Sequence, residues 1–203
     1  MTVLYFFPEE LRTPWYMWEQ RWNEIQEIRL RVNCPVSIRT ISGERFLLNK
    51  EGERVSYSDR EMELIFRHLC HDSIYAYEEE RKQGYMTLTG GHRVGITGEV
   101  IRVEQGYIVK YIRYMNIRIA HEVVGIGESI REYMYDRGMP CNSLIISPPA
   151  AGKTTLLRDM VRMYADGNGQ YRGINVGVID ERGEIAGACR GSASLHCGIR
   201  TDI

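Results

Sequence analysis

The sequence lacks any apolar run long enough for a secretory leader or a membrane span. Its opening MTVLYFFPEE carries only a short apolar stretch with acidic residues behind it. Cysteine is scarce and unpatterned. Cys34, Cys70, Cys141, Cys189 and Cys197 are odd in number and form no C-x-x-C pair, which argues against a disulfide framework and fits a reducing cytosol. The surroundings of Cys189, His196 and Cys197 lack zinc-ligand spacing, so structural thiols are expected there. Charge of one sign is missing too. With 26 Lys and Arg against 27 Asp and Glu, a net charge of −1 supplies no global field for nucleic acid or an acidic membrane. There is no internal repeat and no low-complexity tract. What remains is an ordinary globular composition, 43% hydrophobic and 26% charged over 203 residues, enough for one large or two small domains.

The most informative stretch is 143–159, SLIISPPAAGKTTLLRD. Leu144, Ile145 and Ile146 read as a short buried strand, and Ser147-Pro148-Pro149-Ala150-Ala151-Gly152 reads as a tight loop. Lys153, Thr154 and Thr155 then open a helix. Strand, loop, Gly-Lys-Thr and helix is the order a phosphate-binding loop requires. Amides at the helix start would point at an anion, Lys153 would reach the β- and γ-phosphates of ATP, and the Thr154 hydroxyl would ligate Mg²⁺. The pattern G-x-x-x-x-G-K-[ST] is met except that Ser147 stands for its first glycine. A serine resists the unusual backbone angles that glycine tolerates, so the signal is stronger for nucleotide binding than for hydrolysis. The competing reading is a proline-rich turn that happens to precede a lysine-started helix.

Along the rest of the chain, Thr13-Pro14 looks like a helix start, and Trp15, Trp18, Trp22 and Ile25 recur on one helical face, read as core rather than as a partner surface. Residues 27–32 alternate charged with apolar, so Arg29 and Arg31 share an exposed strand face. Residues 36–41 and 44–48 continue an antiparallel meander. Ser58 and Glu61 form a capping box for a helix with Met62, Ile65, Phe66 and Leu69, and a second helix is expected over 73–84. Strands return at 85–89, 92–101 and 107–119. Gly90, Gly91, Gly95 and Gly98 fit a hairpin better than a phosphate cradle. A helix over 127–137 connects to the phosphate loop, and 175–179 is a second buried strand. The expected organisation is therefore a mixed α+β domain over 1–120, a connecting helix over 121–141, and the start of an α/β domain with a parallel sheet over 142–203.

Asp180, Glu181 and Glu184 follow the strand at 175–179, where ligands of parallel sheets bind. This acidic turn would face Mg²⁺ and the γ-phosphate, and one carboxylate could polarise the attacking water. A plain solvated acidic turn is the alternative.

Several stretches in succession resemble the sporulation stage III AA family of the secretion-ATPase superfamily. They are 27–39 (EIRLRVNCPVSIR), 75–100 (YAYEEERKQGYMTLTGGHRVGITGEV), 116–123 (NIRIAHEV), the 147–155 loop, 178–187 (VIDERGEIAG) and 198–202 (GIRTD). The resemblance implies a cytoplasmic ATPase of the mother cell that powers or gates a channel complex toward the forespore. It further implies a PAS-like N-terminal domain before a RecA-like motor, assembly into a hexameric ring, and docking on membrane channel proteins without a span of its own. By position, residues 180–184 would match the segment that supplies the catalytic glutamate, and Arg93, Arg113 and Arg118 would be candidate contacts to nucleotide from the N-terminal strands. The superfamily's motor carries a Walker B strand that does not occur before Ile203, so these residues alone are expected to bind nucleotide but turn over little ATP. Two other classes stay open: a catalytically inactive scaffold, and a RecA-like protein acting on nucleic acid. The latter is disfavoured by the charge balance, although Arg29, Arg31, Arg39, Arg113 and Arg118 could form a local basic face.

Overall fold

The computed structural model describes residues 2–71, 78, 81–103, 106–148, 151–167, 170–181, 183–187 and 195–203. The chain divides into two units, one of residues 1–88 and 92–120 and the other of 89–91 and 121–203.

The first unit is built on six antiparallel strands: β1 (Ile25–Arg31), β2 (Cys34–Thr40), β3 (Gly43–Phe46), β4 (Tyr85–Leu88), β5 (His92–Val103) and β6 (Gly106–Arg118). Their order is β3-β2-β1-β6-β5-β4. Alternation sets the faces, since Ile28 and Leu30 of β1 are buried while Arg29 and Arg31 are exposed. A register shift between Ile25 and Glu27 turns the Glu27 side chain to the open face. There it is covered by ion pairs with Arg29 and, at 3.7 Å, Arg118. Asn33, at φ +54, makes the tight turn into β2, so that strand starts at Cys34, earlier than the sequence pattern places it. In the β5–β6 hairpin a Cβ on Gly98 would lie 1.9 Å from the Tyr111 carbonyl oxygen, so close strand packing explains this glycine.

Helix α2 (Asp59–Leu69) begins with the expected capping box: the Glu61 amide donates to Ser58 Oγ and the Ser58 amide to Glu61 Oε2. It buries Met62, Ile65, Phe66 and Leu69 among the residues of the main core. The helix expected over 73–84 falls outside the described residues except at 78 and 81–84.

The tryptophan helix is corrected. Thr13–Trp15 and Trp22–Glu24 are 3₁₀ turns, only α1 (Tyr16–Glu19) is α-helical, and Ile25 already belongs to β1. Trp15 stacks on Phe7 at 4.2 Å and donates its indole N–H to the Tyr57 hydroxyl at 2.9 Å. Bulky rings that each fill a different part of one core favour short turns over a single straight helix. Trp15 and Trp18 are buried in that core and Trp22 packs against it, so the stripe faces inward.

Burial pushes the Tyr57 hydroxyl up to about 12, opposed by the Trp15 bond and assisted by Glu61. A raised acid pKa in the folded state means the stabilisation is fully present below about pH 10 and lost as pH rises to about 12. Two pKa units correspond to about 2–3 kcal/mol. Alkaline unfolding midpoints should therefore fall over this window, and the fall should be smaller in Tyr57→Phe. Identical alkaline profiles for the two proteins would contradict it.

The second unit centres on α3 (Lys153–Asp166), with a 3₁₀ helix (Ile126–Met134), an antiparallel pair β7 (Tyr135–Asp136) and β8 (Met139–Pro140), and a parallel pair β9 (Val176–Gly177) and β10 (Thr201–Asp202). Three expectations are corrected. The helix expected over 127–137 is a 3₁₀ helix ending at Met134. Arg137 and Gly138, at φ +49 and +79, form a two-residue hairpin turn that draws Tyr135 and Asp136 into strand. The buried strand expected at 144–146 does not form: Leu144 and Ile146 are 83% and 82% exposed, and only Ile145 packs inward, against the Met134–Met160–Met163 cluster. A parallel strand needs neighbours to pair its backbone and cover both faces. Here β9 pairs with β10, and no strand lies along 144–146 among the described residues. The second expected strand shortens to Val176–Gly177 for the same reason, leaving Ile179 93% exposed. No helix among the described residues is long and apolar enough to cross a membrane.

Candidate functional site

Gly152, left-handed at φ +87, caps α3, so the helix opens on Lys153. The Lys153 ammonium turns back on the preceding loop and donates to the carbonyls of Ser147 and Pro148, both at 2.9 Å, with Ser147 Oγ at 3.4 Å. The segment thus closes around a cation. Ser147 is not among the positive-φ residues, so serine in place of glycine creates no left-handed strain there. Pro149 and Ala150 fall outside the described residues.

The acidic turn is held from within. Asp180 accepts the amides of Glu184 (2.9 Å), Ile185 (2.9 Å) and Ala186 (3.0 Å). Its carboxylate is therefore committed to shaping the turn. Glu181 is exposed and Glu184 half-buried. A cavity of about 500 Å³ is lined by Lys153, Thr154 and Leu157 from α3 and by Asp180, Glu181 and Glu184 from the turn, with Ile145, Ile179 and Ile185 as apolar wall. The cation, the hydroxyl and the three acids singled out from sequence thus border one space within the second unit.

Two further charged residues of α3 are buried, and the first of them fastens the acidic turn. Arg158 is buried, and its guanidinium donates to the carbonyls of Ile185 (2.5 Å) and Glu184 (2.6 Å). Burial pulls its pKa below the ordinary guanidinium value. Asp159, also buried, accepts the amides of Gly125 (3.0 Å) and Gly127 (2.7 Å) and the Arg162 guanidinium (2.8 Å). Burial alone would raise its pKa, but the Gly127 and Gly125 amides and Arg162 outweigh it and hold the carboxyl below the usual range. A signal existed. Consecutive charges between Leu156-Leu157 and Met160-Val161 cannot all point away from an apolar helix face.

Arg93, Arg113 and Arg118 lie on β5 and β6 of the first unit. Arg113 pairs with Asp59 and, at 2.6 Å, with Glu99. Arg118 reaches Glu27 at 3.7 Å and is the cross-strand neighbour of Arg93.

The cavity's oxygen donors, the Thr154 hydroxyl and the Glu181 and Glu184 carboxylates, are hard ligands of the kind Mg²⁺ prefers. Among the described residues no three His, Cys, Asp or Glu side chains could hold a metal by themselves. A Mg²⁺ ion here would draw its remaining ligands from water and from phosphate, which is how Mg²⁺ is commonly held beside nucleotides.

A family model described as sporulation stage III, protein AA, matches residues 8–203. The stage III sporulation protein AA of Bacillus subtilis (strain 168) is 41% identical over 187 residues, covering 91% of this chain and 58% of that protein. The chain therefore spans little more than half the length of this relative. Among solved structures, the ATPase DotB of Legionella pneumophila aligns with a TM-score of 0.45 and 13% identity, over 84% of this chain and 46% of that one. The VirB11 ATPase from the Brucella suis type IV secretion system, in complex with sulphate, aligns with a TM-score of 0.37 and 13% identity, over 85% and 50%. On the family match over residues 8–203, the chain belongs to the sporulation stage III, protein AA family.

Proposed function

We propose that the second unit binds Mg·ATP in the cavity between α3 and the acidic turn, as the nucleotide-binding part of an ATPase that powers or gates a sporulation channel complex. The observation that carries this reading is that Lys153 and Thr154 line the same cavity as Glu181 and Glu184. Lys153 would give its ammonium to the β- and γ-phosphates, and the 147–155 backbone would cradle them at the start of α3. Thr154 would ligate Mg²⁺, which when bound neutralises phosphate charge. Glu181 or Glu184 would orient and deprotonate the attacking water. Asp180, with three backbone amides on its carboxylate, shapes the turn in this reading and does not act as the base.

In the same proposal the first unit is a PAS-like domain and the second opens a RecA-like motor. Copies assemble into a hexameric ring in the cytoplasm and dock on membrane channel proteins, and Arg93, Arg113 and Arg118 contact the nucleotide of a neighbouring copy. Arg113 would do so by exchanging its pairs with Asp59 and Glu99, and Arg118 its pair with Glu27. Calorimetric titration of the purified chain with ATP in the presence of Mg²⁺ tests the reading. Saturable one-site binding is expected, and its absence would leave the scaffold function as the better account.

A further inference from the structure

Arg158 is 6% exposed, and its guanidinium donates to main-chain oxygens of the acidic turn, Ile185 at 2.5 Å and Glu184 at 2.6 Å. Asp180 holds the amides of the same two residues at 2.9 Å each. Residues 184 and 185 are therefore fastened on both sides of the peptide, amides by a carboxylate and carbonyls by a guanidinium. A planar guanidinium fork can span two nearby carbonyls, which a lysine ammonium matches less well. Burying a cation is costly, and although Cys197, Glu122 and Asp180 offset part of that cost, burial outweighs them and Arg158 makes no ion pair with a carboxylate among the described residues. An apolar residue would fill the volume at less cost, so what the arginine adds is placement. Thr154 and Arg158 are four residues apart on α3, hence on one face and about 6 Å apart along the axis.

We propose that Arg158 is a positioning residue that holds the Glu184 carboxylate in register with the Thr154 hydroxyl, setting the affinity of the cavity for the metal of a metal–nucleotide complex. The inference rests on the nucleotide-binding reading above. Arg158 itself touches neither metal nor phosphate in this scheme and acts through the turn.

The test measures ATP affinity of the chain by calorimetry across a Mg²⁺ series, and without Mg²⁺, for wild type, Arg158→Gln, Arg158→Lys, Glu184→Gln and the Arg158→Gln/Glu184→Gln double variant. Loss of a residue that orients a metal-facing group should weaken Mg²⁺ in the ternary complex by about tenfold, with Mg²⁺-free ATP affinity within about twofold of wild type. Arg158→Lys, able to reach one carbonyl, should fall between. The double variant should be no weaker than Glu184→Gln alone, because both changes act through one carboxylate. Unchanged Mg²⁺ dependence in Arg158→Gln would overturn the positioning role. So would an equal loss of Mg²⁺-free affinity, which marks a merely structural arginine, or additive losses in the double variant. If wild type and Lys153→Ala both fail to bind ATP, the nucleotide reading itself fails and this role falls with it. The two failures are thereby distinguished.

Discussion

Lys153→Ala is expected to weaken Mg·ATP binding by on the order of a hundredfold while moving the melting temperature by only a few degrees. The ammonium now donates to two loop carbonyls, at 2.9 Å each, so it is already held at the start of α3. Two hydrogen bonds to a charged group at about 1.5 kcal/mol apiece make about 3 kcal/mol, and each 1.4 kcal/mol is roughly tenfold in affinity. Stability should respond far less. A positive side chain at a helix N-terminus opposes the helix dipole, so its removal returns some of what the lost loop bonds cost. Lys153→Arg separates charge from shape: it keeps the positive charge, but a guanidinium is bulkier than the compact ammonium around which the loop closes, so it should also bind weakly. Titration calorimetry beside thermal melts reads both quantities. An affinity within threefold of wild type in Lys153→Ala would remove the lysine from the site. A parallel collapse of melting temperature and affinity would instead make it a structural clip for the loop.

How far the sequence carried these conclusions depended on how local the physics was. The capping box of Ser58 and Glu61, the alternation of β1 and the Gly90-Gly91 turn are settled within a few residues, and each formed where the pattern put it. The start of α3 at Lys153 was legible for the same reason. The strand at 144–146 was not. Three apolar residues in a row promise burial only if another strand comes to pair with them, and that is a non-local fact. The same holds for Ile179, whose apolar side chain says nothing about what covers it. Within the cavity, the nearness of Glu184 to Lys153 followed from the rule that ligands gather beyond strand ends, although the strand that motivated it is only Val176–Gly177. The division of labour among the acids could not be read ahead. Asp180 differs from Glu181 and Glu184 only in which main-chain amides its shorter side chain can reach once the turn is made.

In the first unit the largest single loss of stability should come from Trp15→Ala, at about 3–5 kcal/mol. Trp15 is fully buried, stacked on Phe7 and bonded to Tyr57, so truncation leaves a ring-sized cavity and an unpartnered hydroxyl together. Domains of this size hold only about 5–15 kcal/mol in all, so the variant should lose a large part of its folded margin and melt many degrees lower. Trp15→Phe divides the loss. It keeps a ring against Phe7 but removes the indole N–H, so the Tyr57 hydroxyl loses its donor at a cost of about 1–2 kcal/mol. It should also raise the Tyr57 pKa further, since the Trp15 bond is what lowers it against burial. Urea unfolding of the three proteins gives the stabilities, and absorbance titration of tyrosinate gives the pKa. A loss below about 1 kcal/mol in Trp15→Ala would mean the site collapses without a cavity, contrary to the close packing of core rings. It would also reopen the aromatic stripe as a surface for a partner. The expected order, alanine well below phenylalanine and phenylalanine below tryptophan, follows only if ring burial outweighs the hydrogen bond, as the buried position of all three rings requires.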